Sequence, residues 1–187
     1  MEFIIEFKDV LSQDICDHII QKFEKDERKI KGKTTSGIDI KYKSSSDLYI
    51  TPLDDWCDID KHIHEVLSKY LEKYIYSIGS YYVQTFDDCR DSGYHIQHYK
   101  KGDYYKWHED SYYSTIDRKL SCIFYLNTLD ENDGGSTLFS CGKRIHPTRG
   151  SLLIFPSSWT YFHCGEEVYN HEKYIITTFI ISDSHVV

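Results

Sequence analysis

The chain has 187 residues and a mass of 22.2 kDa, with 40% hydrophobic and 28% charged residues, which predicts a folded protein of one domain rather than a disordered one. A formal charge of −8 and a pI near 5.6 argue against a surface built wholly for nucleic acid. No apolar run reaches the roughly 20 residues needed to span a bilayer. The opening MEFIIEFKDVLSQD has neither a basic n-region nor a small-residue cleavage site, so a cytoplasmic protein is expected.

Ser12 can cap a first helix, in which Ile15, Cys16, Ile19, Ile20 and Phe23 recur at spacings of three and four. The stretch EKDERKIKGKTTSGIDIKYKSSSD then holds the local excess of Lys and Arg. Its Gly, Ser and Thr content predicts an exposed loop between short strands, either a solvated surface or a lid over a substrate. A second helix is expected from Asp55 or Asp58. Its apolar stripe runs through Ile59, Ile63, Val66, Leu67, Tyr70, Leu71 and Tyr74, and it should end before Gly79.

From Ser80 the pattern changes to short β-rich runs, YYVQTF, YHIQHY, LSCIFYLN, STLF, SLLIFP and KYIITTFIIS, parted by Gly, Asn, Asp and Pro turns. Such spacing predicts an antiparallel sandwich or small barrel with a two-helix layer outside it. Residues 1–187 are expected to form one domain, with about 1–79 supplying helices and supporting β segments and about 80–184 the β core. Cys16, Cys57, Cys89, Cys122, Cys141 and Cys164 form no C-x-x-C pair, which speaks against a zinc ribbon and predicts buried, reduced thiols.

Geometry thins the ten histidines as metal ligands. His62 and His64 are two apart on a predicted helix and so point roughly 200° apart. His95 and His98 fall on opposite faces of a predicted strand, and His18, His64 and His171 read as surface residues. His108 and Asp110 differ, being two apart at the end of a β-like segment where alternate side chains share a face. The segment HYKKGDYYKWHED sets Tyr99, Gly102, Tyr105, His108 and Asp110 in the array Y-x-x-G-x-x-Y-x-x-H-x-D. Downstream, an apolar strand and a Pro-Ser turn lead to His163, with Lys173 ten residues further on. Two imidazoles and one carboxylate make a facial triad that leaves positions open on a six-coordinate iron. A cation beyond the third ligand can pair with a dicarboxylate bound to that iron.

In these residues the chain resembles the Fe(II)- and 2-oxoglutarate-dependent dioxygenases, specifically their prolyl 4-hydroxylase-like branch. The resemblance runs from about Tyr94 to Ile181, and more loosely through FKDVLSQDICDHII. It takes in RKLSCIFYLN, DGGSTLF and PTRGSLLIFPS in the family's order. It implies a mainly β fold with N-terminal helices and a double-stranded β-helix, or jelly-roll, core. It further implies that His108, Asp110 and His163 ligate iron, and that Lys173 holds the distal carboxylate of 2-oxoglutarate. Tyr99 and Tyr125 match tyrosines whose hydroxyls hold that co-substrate. Thr177 shares a strand face with Lys173 and Phe179 and is expected to line the same pocket.

The activity so implied uses Fe(II), 2-oxoglutarate and O2, with ascorbate as a support. It hydroxylates an unactivated C–H bond, foremost of a prolyl residue in a peptide or protein, and releases succinate and CO2. A small-molecule hydroxylase acting on a free amino acid, or a non-catalytic metal- or partner-binding relative, are the alternatives. Nucleic acid finds support only in the basic stretch from Lys22 to Lys43, and no membrane partner is expected. Ser136 stands where the family often has Glu, and Phe179 where some prolyl hydroxylases carry Trp. Tyr104, Tyr105, Trp107, Tyr112 and Tyr113 read either as packing or as a wall for a peptide. Arg118 reads as support for the sheet or as a substrate contact, and Cys164 as facing away from His163.

Overall fold

The computed structural model of the chain describes residues 2–34 and 37–183. Strand β1 (Ile5–Phe7) leads into helix α1 (Gln13–Lys25), whose first turn is capped where the Ile15 amide donates to Ser12 Oγ at 3.4 Å. Cys16, Ile19 and Phe23 form its buried face, as the spacing predicts. A hairpin of β2 (Ile30–Lys31) and β3 (Ser46–Tyr49) follows. Helix α2 (Cys57–Ile78) buries Ile59, Ile63, Leu67, Tyr74 and Ile78, and it stops at Gly79, whose φ of 114° suits a residue without Cβ.

The β-rich half comprises β4 (Cys89–Asp91), β5 (His95–Tyr99), β6 (Tyr105–His108), β7 (Arg118–Tyr125) and β8 (Thr137–Phe139). It continues through β9 (Arg144–Ile145), β10 (Ser151–Pro156), β11 (His163–Gly165) and β12 (Lys173–Ser182). The larger sheet runs β1-β10-β7-β12-β5-β3-β2, with β4 also on β12, and the smaller runs β6-β11-β8-β9. All these pairings are antiparallel.

Alternation along the strands explains how the layers assemble. On one face of the large sheet, Ile96, Cys122, Phe124, Ile154 and Ile176 pack against the helices. The intervening Tyr99, Ile123, Tyr125, Leu153, Phe155 and Ile175 turn inward and meet Phe139 and Ile145 of the small sheet. A sheet covered on both faces needs near-continuous apolar strands, which is why SLLIFP is buried from Ser151 to Phe155. The result is the expected mainly β architecture of two antiparallel sheets with helices outside, a double-stranded β-helix.

Two expectations need correction. Residues of YYVQTF form a 3-10 segment, Ser80–Phe86, and not a strand. Tyr82 and Phe86, four residues apart, pack on the core while their neighbours are exposed, so packing at a helical period overrides the β propensity of the run. All six cysteines are free, as expected, but only Cys16, Cys122 and Cys164 are buried, and Cys57 and Cys141 are exposed. His95 and His98 do lie on opposite faces, His95 stacked on Tyr49 and His98 on Tyr174. Among the described residues no helix is long and apolar enough to cross a membrane.

Candidate active site

Pairing of β11 with β6 sets His163 opposite His108, and Asp110 follows two residues beyond the end of β6. Their ligand atoms all lie within 4.8 Å of one another. Asp110 Oδ1 is 3.5 Å from His108 Nε2, and Oδ2 is 3.5 Å from His163 Nε2. Each imidazole turns its other nitrogen to a backbone carbonyl, Nδ1 of His108 to Lys106 O at 2.7 Å and Nδ1 of His163 to Tyr161 O at 3.0 Å. A carbonyl can only accept, so Nδ1 carries a proton in each ring and Nε2 is the nitrogen turned toward Asp110, where it can serve a metal.

The carboxylate is held as firmly. Ser121 Oγ donates to Asp110 Oδ2 at 2.6 Å, and Arg118 Nη1 donates to the Asp110 carbonyl at 3.0 Å. Burial by itself would raise the Asp110 pKa, but the two imidazoles and the serine hydroxyl keep it well below the usual carboxylate range. Burial pulls His163 down to about 4, so its ring is neutral near pH 7. Two imidazole nitrogens and one ionised carboxylate, oriented by second partners and converging on one point, fit a divalent cation such as Fe(II).

The triad opens into a cavity of about 330 Å³ between the sheets. Lys173, the first residue of β12, is buried on its wall, and among the described residues no carboxylate lies within ion-pair distance of its Nζ. Burial lowers its pKa to about 8. The ammonium lies 5.4 Å from the ring centroid of Tyr99 and 5.8 Å from that of Tyr125. A buried cation without a counter-charge is costly, so the position suits an anion entering the cavity.

Register places the other expected residues. Lys173 pairs with Tyr99, Ile175 with Gln97 and Thr177 with His95, so Tyr99, Gln97, Thr177 and Lys173 share one wall. The Tyr99 hydroxyl donates to Gln97 Oε1 at 2.8 Å, and Gln97 Nε2 donates to Thr177 Oγ1 at 3.0 Å. The Tyr125 hydroxyl sits 2.7 Å from Thr137 Oγ1, and Thr137 lines the cavity. Gln97, Thr137 and Ser121 were missed from the sequence. Gln97 alone left a signal, lying two residues before Tyr99 on the same strand face.

Phe179 lines the cavity with Arg118 stacked 3.7 Å from its ring centroid, whereas Ser136 is turned to His146 Nδ1 at 3.1 Å and is not on the wall. Tyr105 stacks on His108 at 3.6 Å between centroids. Trp107 stacks on Phe162 at 6.0 Å, and both are partly exposed beside the triad strands.

Residues 94–181 match the sequence profile of the 2OG-Fe(II) oxygenase superfamily. No curated protein sequence matches the chain. Among solved structures, the viral collagen prolyl hydroxylase of Paramecium bursaria Chlorella virus-1, in its complex with 2OG, is 19% identical with a TM-score of 0.73, covering 97% of this chain and 96% of that one. A Trichoplax adhaerens prolyl hydroxylase, bound to a peptide of the oxygen degradation domain of hypoxia inducible factor, is 17% identical with a TM-score of 0.78, covering 96% and 84%. A Pseudomonas putida prolyl-4-hydroxylase is 17% identical with a TM-score of 0.73, covering 98% and 95%. These three proteins share the fold described above.

Proposed function

Residues 94–181 belong to the 2OG-Fe(II) oxygenase superfamily, and on that premise we propose that the chain is an Fe(II)- and 2-oxoglutarate-dependent dioxygenase that hydroxylates a prolyl residue of a peptide or protein. The observation that carries this reading is one cavity holding both a His-Asp-His constellation and a buried, unpaired lysine. In this reading His108, Asp110 and His163 hold the iron, Lys173 the distal carboxylate of 2-oxoglutarate, and residues 1–79 brace the core of a single catalytic unit.

Bound iron and 2-oxoglutarate supply the oxidation, in which O2 is consumed, succinate and CO2 are released, and one oxygen atom enters an unactivated C–H bond. The protein's own part is to bind, orient and exclude water. Nδ1–H bonds to Lys106 O and Tyr161 O fix both ring orientations, so no ligand must reorganise on metal entry. Ser121 and Arg118 hold Asp110 from its carboxylate and its carbonyl. Lys173 gives the dicarboxylate its direction by attracting the end remote from the triad. Thr177, at the end of the Tyr99–Gln97–Thr177 ladder, and Thr137 on the facing sheet line the cavity with hydroxyls available to co-substrate oxygens. Tyr105, stacked on His108, shields that ligand from water.

A prolyl residue is favoured as the target by the fold shared with three prolyl hydroxylases. A peptide is favoured over a free amino acid by the exposed Trp107, Tyr112, Tyr113, Trp159 and Phe162, all carried near the triad on β6, its following loop and the turn before β11. The cytoplasm, where six free cysteines stay reduced, suits the reading. Anaerobic addition of iron(II) and then 2-oxoglutarate should give the weak visible charge-transfer band of a chelated complex. His108→Ala and Asp110→Ala should each remove the band and succinate formation. Full succinate formation in both variants would end the proposal.

A further inference from the structure

Residues 42–44, which lead into β3, are tied to the strand beside the triad. Lys106 N donates to Tyr42 O and Ser44 N to Tyr104 O, both at 2.9 Å, while the Tyr42 hydroxyl donates to Trp107 O at 2.8 Å. Ser44 Oγ also donates to Asp103. These bonds lay residues 42–44 along β6, the strand that carries His108, and with Ile30, Lys33 and Lys43 on the lining they form a side wall of the cavity.

The wall has its own charge. Residues 28–43 contain six cations and one acid in a chain of net charge −8. Three of the cations are engaged: Arg28 with Asp26 and Asp55, Lys29 with the carbonyls of Phe23 and Glu24, and Lys43 in a buried 2.8 Å pair with Asp47. Lys31, Lys33 and Lys41 are exposed, and no carboxylate among the described residues lies within ion-pair distance of them. Arg118, deeper in the cavity, has no carboxylate within ion-pair distance among the described residues either. Against these four stand Asp39 and Glu109, the acids of this rim without an ion pair. Interleaved with the lysines, Ile30, Ile38 and Ile40 are 49%, 53% and 59% exposed. Apolar side chains this open, alternating with unpaired cations beside a reaction cavity, describe a surface made to be covered.

Resting on the peptide-oxygenase reading, we infer that this wall is the substrate-docking surface and that it selects an acidic peptide, with Asp or Glu beside the target prolyl meeting Lys31, Lys33 and Lys41 and apolar residues covering the isoleucines. A net-acidic protein would otherwise repel such a peptide. A local basic wall reverses that field at the one place where the substrate enters, which raises selectivity and association rate together.

The test uses anaerobic protein loaded with iron(II) and 2-oxoglutarate, and labelled proline peptides of equal length with acidic, uncharged or basic flanks. The acidic peptide should bind at least about tenfold more tightly than the uncharged one at low salt, with the advantage shrinking as salt rises. Lys31→Glu/Lys33→Glu/Lys41→Glu should abolish the preference, and the corresponding Arg triple variant should keep it, while the charge-transfer band reports folding and co-substrate binding separately. Equal binding of acidic and uncharged peptides would overturn the inference and leave the oxygenase reading standing. Displacement of the acidic peptide by single-stranded RNA at equal charge concentration would overturn it in favour of a nucleic-acid surface. Failure of every peptide to bind, with the band intact, would overturn the peptide substrate itself and this inference with it.

Discussion

Lys173 concentrates the conflict between folding and function in one side chain. Its pKa is lowered to about 8, so folding disfavours its proton and the cost is fully present below that pH. Lys173→Met removes a buried charge and keeps the volume, so it should stabilise the fold by on the order of 1–3 kcal/mol while raising the KM for 2-oxoglutarate at least about a hundredfold. Thermal unfolding and succinate kinetics on the same preparation check both halves, and an unchanged KM would remove Lys173 from the co-substrate's site. The sign of the pH dependence follows. A dicarboxylate needs the ammonium form, so co-substrate affinity should be flat below pH 8 and fall about tenfold per pH unit well above it. Lys173→Arg keeps the charge and should lose that decline; an identical decline in the Arg variant would assign it to another group.

At the scale of elements, the site is made by register. β12 brings Lys173 and Thr177 against Tyr99 and His95 of β5, and β11 brings His163 against His108. Gln97→Leu keeps the strand but removes the acceptor of the Tyr99 hydroxyl, so a rise in KM for 2-oxoglutarate of about three- to tenfold with an unchanged melting temperature is expected. Equal KM values would confine Gln97 to a structural part. The junction of β10 with the N-terminal segment depends on Gly150. Its φ is 74°, its carbonyl accepts from Val10 and Leu11, and a Cβ there would lie 2.3 Å from Leu11 O. Gly150→Ala should therefore destabilise the protein by about 1–3 kcal/mol, read by denaturant unfolding, because backbone rather than a flexible side chain must move.

Across the whole molecule, what could be read from sequence depended on whether the partners are near in the chain. His108 and Asp110 are two residues apart, and His163 and Lys173 are ten apart around one turn, so local pattern was enough to single them out. The long apolar strands were legible for the same reason, since both-face burial writes itself into consecutive residues. Gln97, Thr137 and the Lys43–Asp47 wall were not, because each acquires its place through pairing with distant strands. Tyr125 is assigned to the co-substrate by resemblance, and its hydroxyl bonds Thr137, whose place on the cavity wall comes only from cross-sheet packing. Residues 81–86 read as a strand because aromatic and β-branched residues favour one, whereas the packing of Tyr82 and Phe86 decides otherwise.

The most direct test of the account is a coupled measurement on one reaction. Protein loaded with iron(II) and 2-oxoglutarate is given O2 and an acidic proline-containing peptide, and succinate and peptide mass are followed together. The account predicts one succinate for each oxygen atom gained by the peptide, with the gain located on the prolyl residue and both signals lost in Asp110→Ala. Succinate formed at the same rate with and without any peptide, and no peptide gaining oxygen, would contradict it.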